Sequence, residues 1–200
     1  MPDAQAVWQN IHAFLIGKGL SPAQAAGVEG NLLVESGFNP SAYNAKEGAI
    51  GLAQWEGDRR TQLQRFAAQR GTSETDVNTQ RDFLWAELQG SEQAALKGLL
   101  AANTASDAAT VFDQKYERSS GGSRQKRIDA ANKFVGAADF ADGAVGKVGD
   151  AVSGALDKLN PFANWQTDAL GLGIKLVGSL AAVALVVAGV MHTVRDGETT

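Results

Sequence analysis

Glu35 ends an apolar run, Gly27-Val-Glu-Gly-Asn-Leu-Leu-Val-Glu35-Ser-Gly-Phe-Asn-Pro40. A glycine-rich stretch follows, Gly48-Ala-Ile-Gly51-Leu-Ala-Gln54-Trp55, and then the pair Arg59-Arg60. A carboxylic acid in such a setting can protonate a leaving oxygen, the step on which breaking a bond between two sugars depends. The donor must keep its proton near neutral pH. Leu32, Leu33, Val34, Phe38 and Trp55 are expected to surround Glu35 with apolar surface, which disfavours a carboxylate. The C-terminal end of a helix dipole pushes the same way. Gly48, Gly51 and Gly57 let a backbone approach closely, while Gln54 and Trp55 can hydrogen-bond to and stack on a polar ring. Trp55 also reads as core, and Arg59 and Arg60 as a solvated helix start. Cleavage by a carboxylate pair needs a second acid. Glu117, Glu56 and Asp58 are the candidates, and spacing selects none of them.

Composition narrows the chemistry to such groups. The 200 residues include no cysteine and two histidines, His12 and His192, far apart in sequence. Disulfide scaffolds, thiol nucleophiles and Cys- or His-rich zinc sites are therefore set aside, and neither a metal nor a cofactor is expected. A net charge of −4 without a polybasic cluster argues against nucleic acid as a partner.

The elements that must position Glu35 read as a string of helices over roughly the first 135 residues. Val7, Trp8, Ile11, Phe14 and Leu15 mark one helical face rather than a secretory signal. Ser21-Pro22-Ala23-Gln24 predicts a capping-box start with proline at the first helical position, and Gly37 a stop. Further helices are expected after Asp58, after the possible cap between Ser73 and Asp76, over Ser91–Ala101 and over Ser106–Arg118. A last one follows the Ser-Ser-Gly-Gly-Ser break at 119–123. No period-two strand stands out. The expected class is all-α, with a helical domain over 1–137.

An Ala/Gly-rich, acidic connector follows over 138–168. Val145, Val148, Val152, Leu156 and Leu159 recur at helical spacing there, on an amphipathic helix or a flexible linker. A hydrophobic segment occupies 169–195 and a polar tail 196–200. From Leu176 to Val194 no charged residue appears. At about 1.5 Å per residue that run reaches roughly 28 Å, the thickness of a bilayer's hydrocarbon core, so a transmembrane helix is expected.

The joint pattern resembles the phage tail-type lysozyme family of the lysozyme-like superfamily, and is similar also to soluble lytic transglycosylases. The residues that carry the likeness are Lys18-Gly-Leu-Ser21, Ala26-Gly-Val-Glu-Gly-Asn-Leu-Leu-Val-Glu35-Ser-Gly37, Gln54-Trp55, Arg59-Arg60, Phe112…Tyr116-Glu117-Arg118 and Arg127. It covers roughly residues 5–137. The resemblance implies a lysozyme-like fold with Glu35 as catalytic acid and base on the β-1,4 bond between N-acetylmuramic acid and N-acetylglucosamine of bacterial peptidoglycan. Ser36, Gln54 and Trp55 would lie in the cleft. Tyr116 falls where relatives place a site-facing tyrosine, and reads equally as core.

Three readings follow. The first is a peptidoglycan glycosidase carried in the virion and delivered at phage entry, acting in the host periplasm with its C-terminal helix in the inner membrane. Other virion proteins, or copies of itself, would be its partners. The second is a structural virion or membrane-channel protein with an inactive lysozyme-like domain. The third is a cellular enzyme that uses the final helix as signal or anchor. Hydrolase and transglycosylase products both stay open.

Overall fold

A computed structural model describes the backbone of residues 3–144 and the side chains of residues 3–135. Seven α-helices and one two-stranded hairpin make up the described part: α1 (Ala4–Gly17), α2 (Pro22–Ser36), β1 (Tyr43–Asn44), β2 (Ala49–Ile50), α3 (Gly57–Gln69), α4 (Val77–Gln89), α5 (Gln93–Ala101), α6 (Ala105–Phe112) and α7 (Arg124–Ala144). A single π-helical turn, Asp113–Glu117, extends α6.

The expected helical class holds, with three differences. The hairpin pairs Tyr43 with Ile50 and Asn44 with Ala49. Its strands are two residues long, too short for any alternation of apolar and polar residues to develop. The helix expected to run through to Arg118 instead leaves α geometry after Phe112. α7 also runs past residue 137 to Ala144. The rest of the connector and the uncharged run 176–194 lie outside the described residues. Among the described residues no helix is long and apolar enough to cross a membrane.

α2 is the central element. It starts where the sequence says: Ser21 accepts from the Gln24 backbone, the Gln24 side chain accepts from the Ser21 backbone, and Pro22 opens the first turn. It stops at Gly37, whose φ of 63° only a glycine adopts without strain. Ala25, Ala26, Val28, Leu32 and Leu33 are all buried, and so are the polar Glu29 and Asn31.

Gly27 and Gly30 explain how so many neighbours crowd one helix. A Cβ on Gly27 would lie 2.3 Å from the Ala108 Cβ of α6, and one on Gly30 would lie 2.5 Å from the Arg127 carbonyl of α7. The three helices therefore meet backbone to backbone, with Ala108, Ala109 and Ala131 completing the seam. α1 is tied on by Glu29, a fully buried carboxylate that accepts from Trp8 Nε1 and contacts His12 Nδ1, each at 2.8 Å. Such a group is tolerated inside because its oxygens have partners.

Because neither helix can retreat without opening that seam, Gly27→Ala and Gly30→Ala are each expected to cost about 1–3 kcal/mol of stability. Urea unfolding followed by circular dichroism measures this. The same change at Gly17, which has nothing within 4 Å, is the control.

Candidate active site

Glu35 lies in the last turn of α2, and the chain turns sharply just beyond it. Gly37 and then Phe38 (φ 59°) both adopt left-handed backbone, which folds the Phe38 ring into the core against Phe134 of α7. A non-glycine residue in that region is uncommon and strained. The other two described examples are Gln54 (φ 47°) and Arg118 (φ 54°), one in the glycine-rich loop and one directly after Glu117. All three border the segments that carry the candidate residues.

The glycine-rich loop is pinned from two sides. Ser36 points its hydroxyl at the carbonyls of Leu32 and Leu52, at 3.2 and 2.9 Å, fastening the loop to the end of α2. Gln80 of α4 accepts from the Leu52 backbone N–H at 2.9 Å and donates to the carbonyls of Pro40 and Glu74. Gly51 must be glycine here, because its φ is 79° and a Cβ would lie 2.3 Å from the Gln80 amide nitrogen. Gln54 is half-buried and donates to the Ala42 and Gly51 carbonyls, joining the hairpin to the loop.

The surroundings of Glu35 differ from the apolar pocket expected. Its carboxyl group, one-fifth exposed, accepts from Arg127 Nη2 at 2.6 Å. Arg127 is itself buried, and its other nitrogens are held too. Nη1 donates to Asn31 Oδ1 at 3.1 Å, while Nε lies 3.2 Å from Asp113 Oδ1, close enough for an ion pair but out of hydrogen-bond alignment. Asp113 is fully buried and also accepts from Arg124 and Ser119. A cation thus stands where the sequence called for hydrocarbon.

Of the three possible second carboxylates, the geometry singles out Glu117. Glu56 and Asp58 sit exposed at the start of α3. Glu117 ends the π-helical turn, half-buried, with Oε1 sealed from solvent and lacking any hydrogen-bond partner. Burial holds its pKa well above the ordinary carboxylate value, and the negative charge of Glu35 pushes it further up. Arg59 and Arg127 pull the other way, and Glu87 adds to the rise. Glu117 is the carboxyl group whose setting favours a retained proton.

Trp55 and Tyr116 are both 0% exposed, so they stand behind the site rather than in a cleft. They converge on Glu87 of α4. Trp55 Nε1 donates to Glu87 Oε2 at 2.8 Å, the Tyr116 hydroxyl donates to the same oxygen at 2.5 Å, and Arg59 donates to both oxygens at 2.8 and 3.0 Å. Arg59 also lies over the Tyr116 ring at 4.4 Å. Burial works against the Arg59 charge, but the hydrogen bonds and charge of Glu87, with help from Tyr116 and Glu117, leave its pKa raised. Burial, then the Glu87 charge, raises the Tyr116 hydroxyl well above its usual value, so it stays a donor. Arg60 serves elsewhere, bridging Glu74 and the Gly48 carbonyl at 3.0 and 2.7 Å.

Glu87, Gln80, Asn31 and Asp113 escaped the sequence reading. A signal existed for the first two. Gln80, Leu84 and Glu87 fall on one face of α4, so two polar residues occupy an apolar stripe, which marks buried hydrogen-bonding groups. Asn31 and Asp113 carried no such mark.

The phage tail lysozyme family model matches residues 6–137. No curated protein matches the chain.

Two outcomes follow from the electrostatics. Glu87→Gln leaves the partly buried Arg59 cation without its counter-charge and is expected to destabilise the fold by about 1.5–3 kcal/mol in urea unfolding. For Glu117 the folded pKa lies above the unfolded one, so its contribution to stability is complete below about pH 4 and is lost as pH rises toward the folded value. Glu117→Gln, which cannot ionise, is therefore expected to gain in Tm relative to wild type as pH rises from about 4 to about 8. Parallel melting curves that keep a constant gap across that range would contradict this.

Proposed function

The chain belongs to the phage tail lysozyme family, and from that premise we propose that it cleaves the β-1,4 bond between N-acetylmuramic acid and N-acetylglucosamine. Glu35 and Glu117 are the reacting carboxyl groups. The observation that carries this reading is the end of α2: Glu35 lies in its last turn beside the glycine-rich loop, one-fifth exposed and held by Arg127, with Glu117 within reach of its charge. Two carboxyl groups with unequal surroundings are what acid–base cleavage of a glycoside uses.

A second carboxylate favours hydrolysis over internal attack by the substrate's own hydroxyl, so the products are expected to carry reducing ends. The enzyme is then a hydrolase whose water is activated by one carboxyl group and whose leaving oxygen is protonated by the other. Ser36 and Gln54 contribute by fixing the loop that borders Glu35, and Trp55 and Tyr116 by supporting Arg59 and Glu87 behind it.

The family's description as a tail lysozyme supports carriage in the virion and action on the host wall at entry. The uncharged run 176–194 supports contact with the membrane beneath that wall.

Glu35→Gln is expected to lower peptidoglycan cleavage at least about 100-fold while leaving the melting curve cooperative. A zymogram with mass spectrometry of the released muropeptides checks both claims. Equal clearing by wild type and variant removes Glu35 from the reaction, and anhydro ends would assign the chain to the transglycosylases instead.

A further inference from the structure

Of the large apolar side chains that face water among the described residues, Tyr43 is the aromatic one, and at 59% it is the most exposed. It stands on β1 of the hairpin, opposite Ile50 of β2. A surface ring of this kind usually loses rotamer freedom when a ligand settles on it, which weakens binding. Here a fixed group backs the ring. The Arg60 guanidinium lies over it at 5.4 Å, and Arg60 is itself held, donating to Glu74 at 3.0 Å and to the Gly48 carbonyl at 2.7 Å. A cation on one face leaves the other for a ligand.

The hairpin is also fastened to the loop that borders Glu35. The Ala42 carbonyl, one residue before Tyr43, accepts from the Gly51 N–H at 2.8 Å and from Gln54 Nε2 at 3.2 Å. The carbonyl of Leu52, next to Gly51, accepts from the hydroxyl of Ser36, which follows Glu35. Gln54 keeps a strained left-handed backbone (φ 47°) while it makes its link, so hairpin and loop are held together against an energetic cost. The polar groups of the turn bond within it: Asn44 donates to Glu47 at 2.7 Å and accepts from the Lys46 N–H at 3.1 Å. Glu74 matches the Arg60 charge. What this end of the hairpin presents is therefore a flat, partly apolar ring rather than a charge.

We propose that Tyr43 is a stacking platform for a pyranose ring of the glycan strand, away from the bond being cut. The proposal rests on the glycosidase reading above and adds a binding residue to it. A β-1,4-linked pyranose of this kind carries its ring substituents equatorially, so its axial C–H bonds form an apolar face that suits the negative face of an aromatic ring. The strand repeats such rings, and one can lie on Tyr43 while another is cleaved beside Glu35. A contact made equally in the ground state and the transition state lowers KM and leaves kcat unchanged.

Steady-state kinetics on solubilised peptidoglycan are compared for full-length wild type, Tyr43→Ala, Tyr43→Leu and Tyr43→Trp. Tyr43→Ala is expected to raise KM at least about 10-fold with kcat within about twofold, Tyr43→Leu to behave the same way, and Tyr43→Trp to keep the wild-type KM. Leu100→Ala, which trims a comparably exposed side chain on α5, is the control and keeps the wild-type KM. Urea midpoints are expected to stay at the wild-type value, since the Tyr43 side chain lies at the surface. Calorimetric titration of the Glu35→Gln protein with glycan strands stripped of stem peptides reads binding without turnover. Adding Tyr43→Ala to that protein is expected to weaken binding at least about 10-fold.

Unchanged KM and affinity in Tyr43→Ala, a loss confined to kcat, or restoration by leucine as full as by tryptophan overturns the proposal. So does an affinity loss seen only with peptide-bearing strands, or a Glu35→Gln protein that does not bind stripped strands. Wild type that binds stripped strands through Tyr43 yet cuts no peptidoglycan counts against the glycosidase reading and leaves the platform in place.

Discussion

A single guanidinium holds the candidate site together. Arg127 reaches from the first turn of α7 to Asn31 and Glu35 on α2 and to Asp113 at the start of the π-helical turn. It does so from a buried position, where an unmatched cation is costly. The contacts are therefore conditions for folding as much as features of a site. They demand that α2, the π-helical turn and α7 arrive at fixed distances, and the close crossings at Gly27 and Gly30 set those distances.

A second ionic centre, Glu87 with Arg59, repeats this logic on the other side. It binds α3, α4 and the π-helical turn through Trp55 and Tyr116. Glu117 lies in the field of both centres. Each cation already has a carboxylate of its own, so Glu117 is the acidic group left over. Its raised pKa comes first from burial in the assembled fold and then from the charge of Glu35, neither of which is a local sequence feature.

That distinction explains what could be read from the chain alone. Helix limits set by local chemistry were legible: Ser21 and Pro22 open α2, Gly37 closes it, and Asp76 caps α4 through the Thr79 N–H. Glu35 was legible as a candidate because the loop residues cluster close behind it. The cation beside it was not, because Arg127 lies 92 positions away and one sequence does not pair such residues. The same holds for Trp55 and Tyr116. Their residue types invited a place against a sugar, and only the discovery of Glu87 between them gives their polar atoms an interior partner. The π-helical turn is likewise invisible to periodicity, since Asp113, Tyr116 and Glu117 share one face at α-helical spacing too.

The start signals bear on more than helix length. Ser21, Asp76 and Thr104 each cap a helix using atoms no more than three residues away, and the sequence contains no thiol. Helices begun by such local caps need no oxidant to form, and no disulfide ties the chain together.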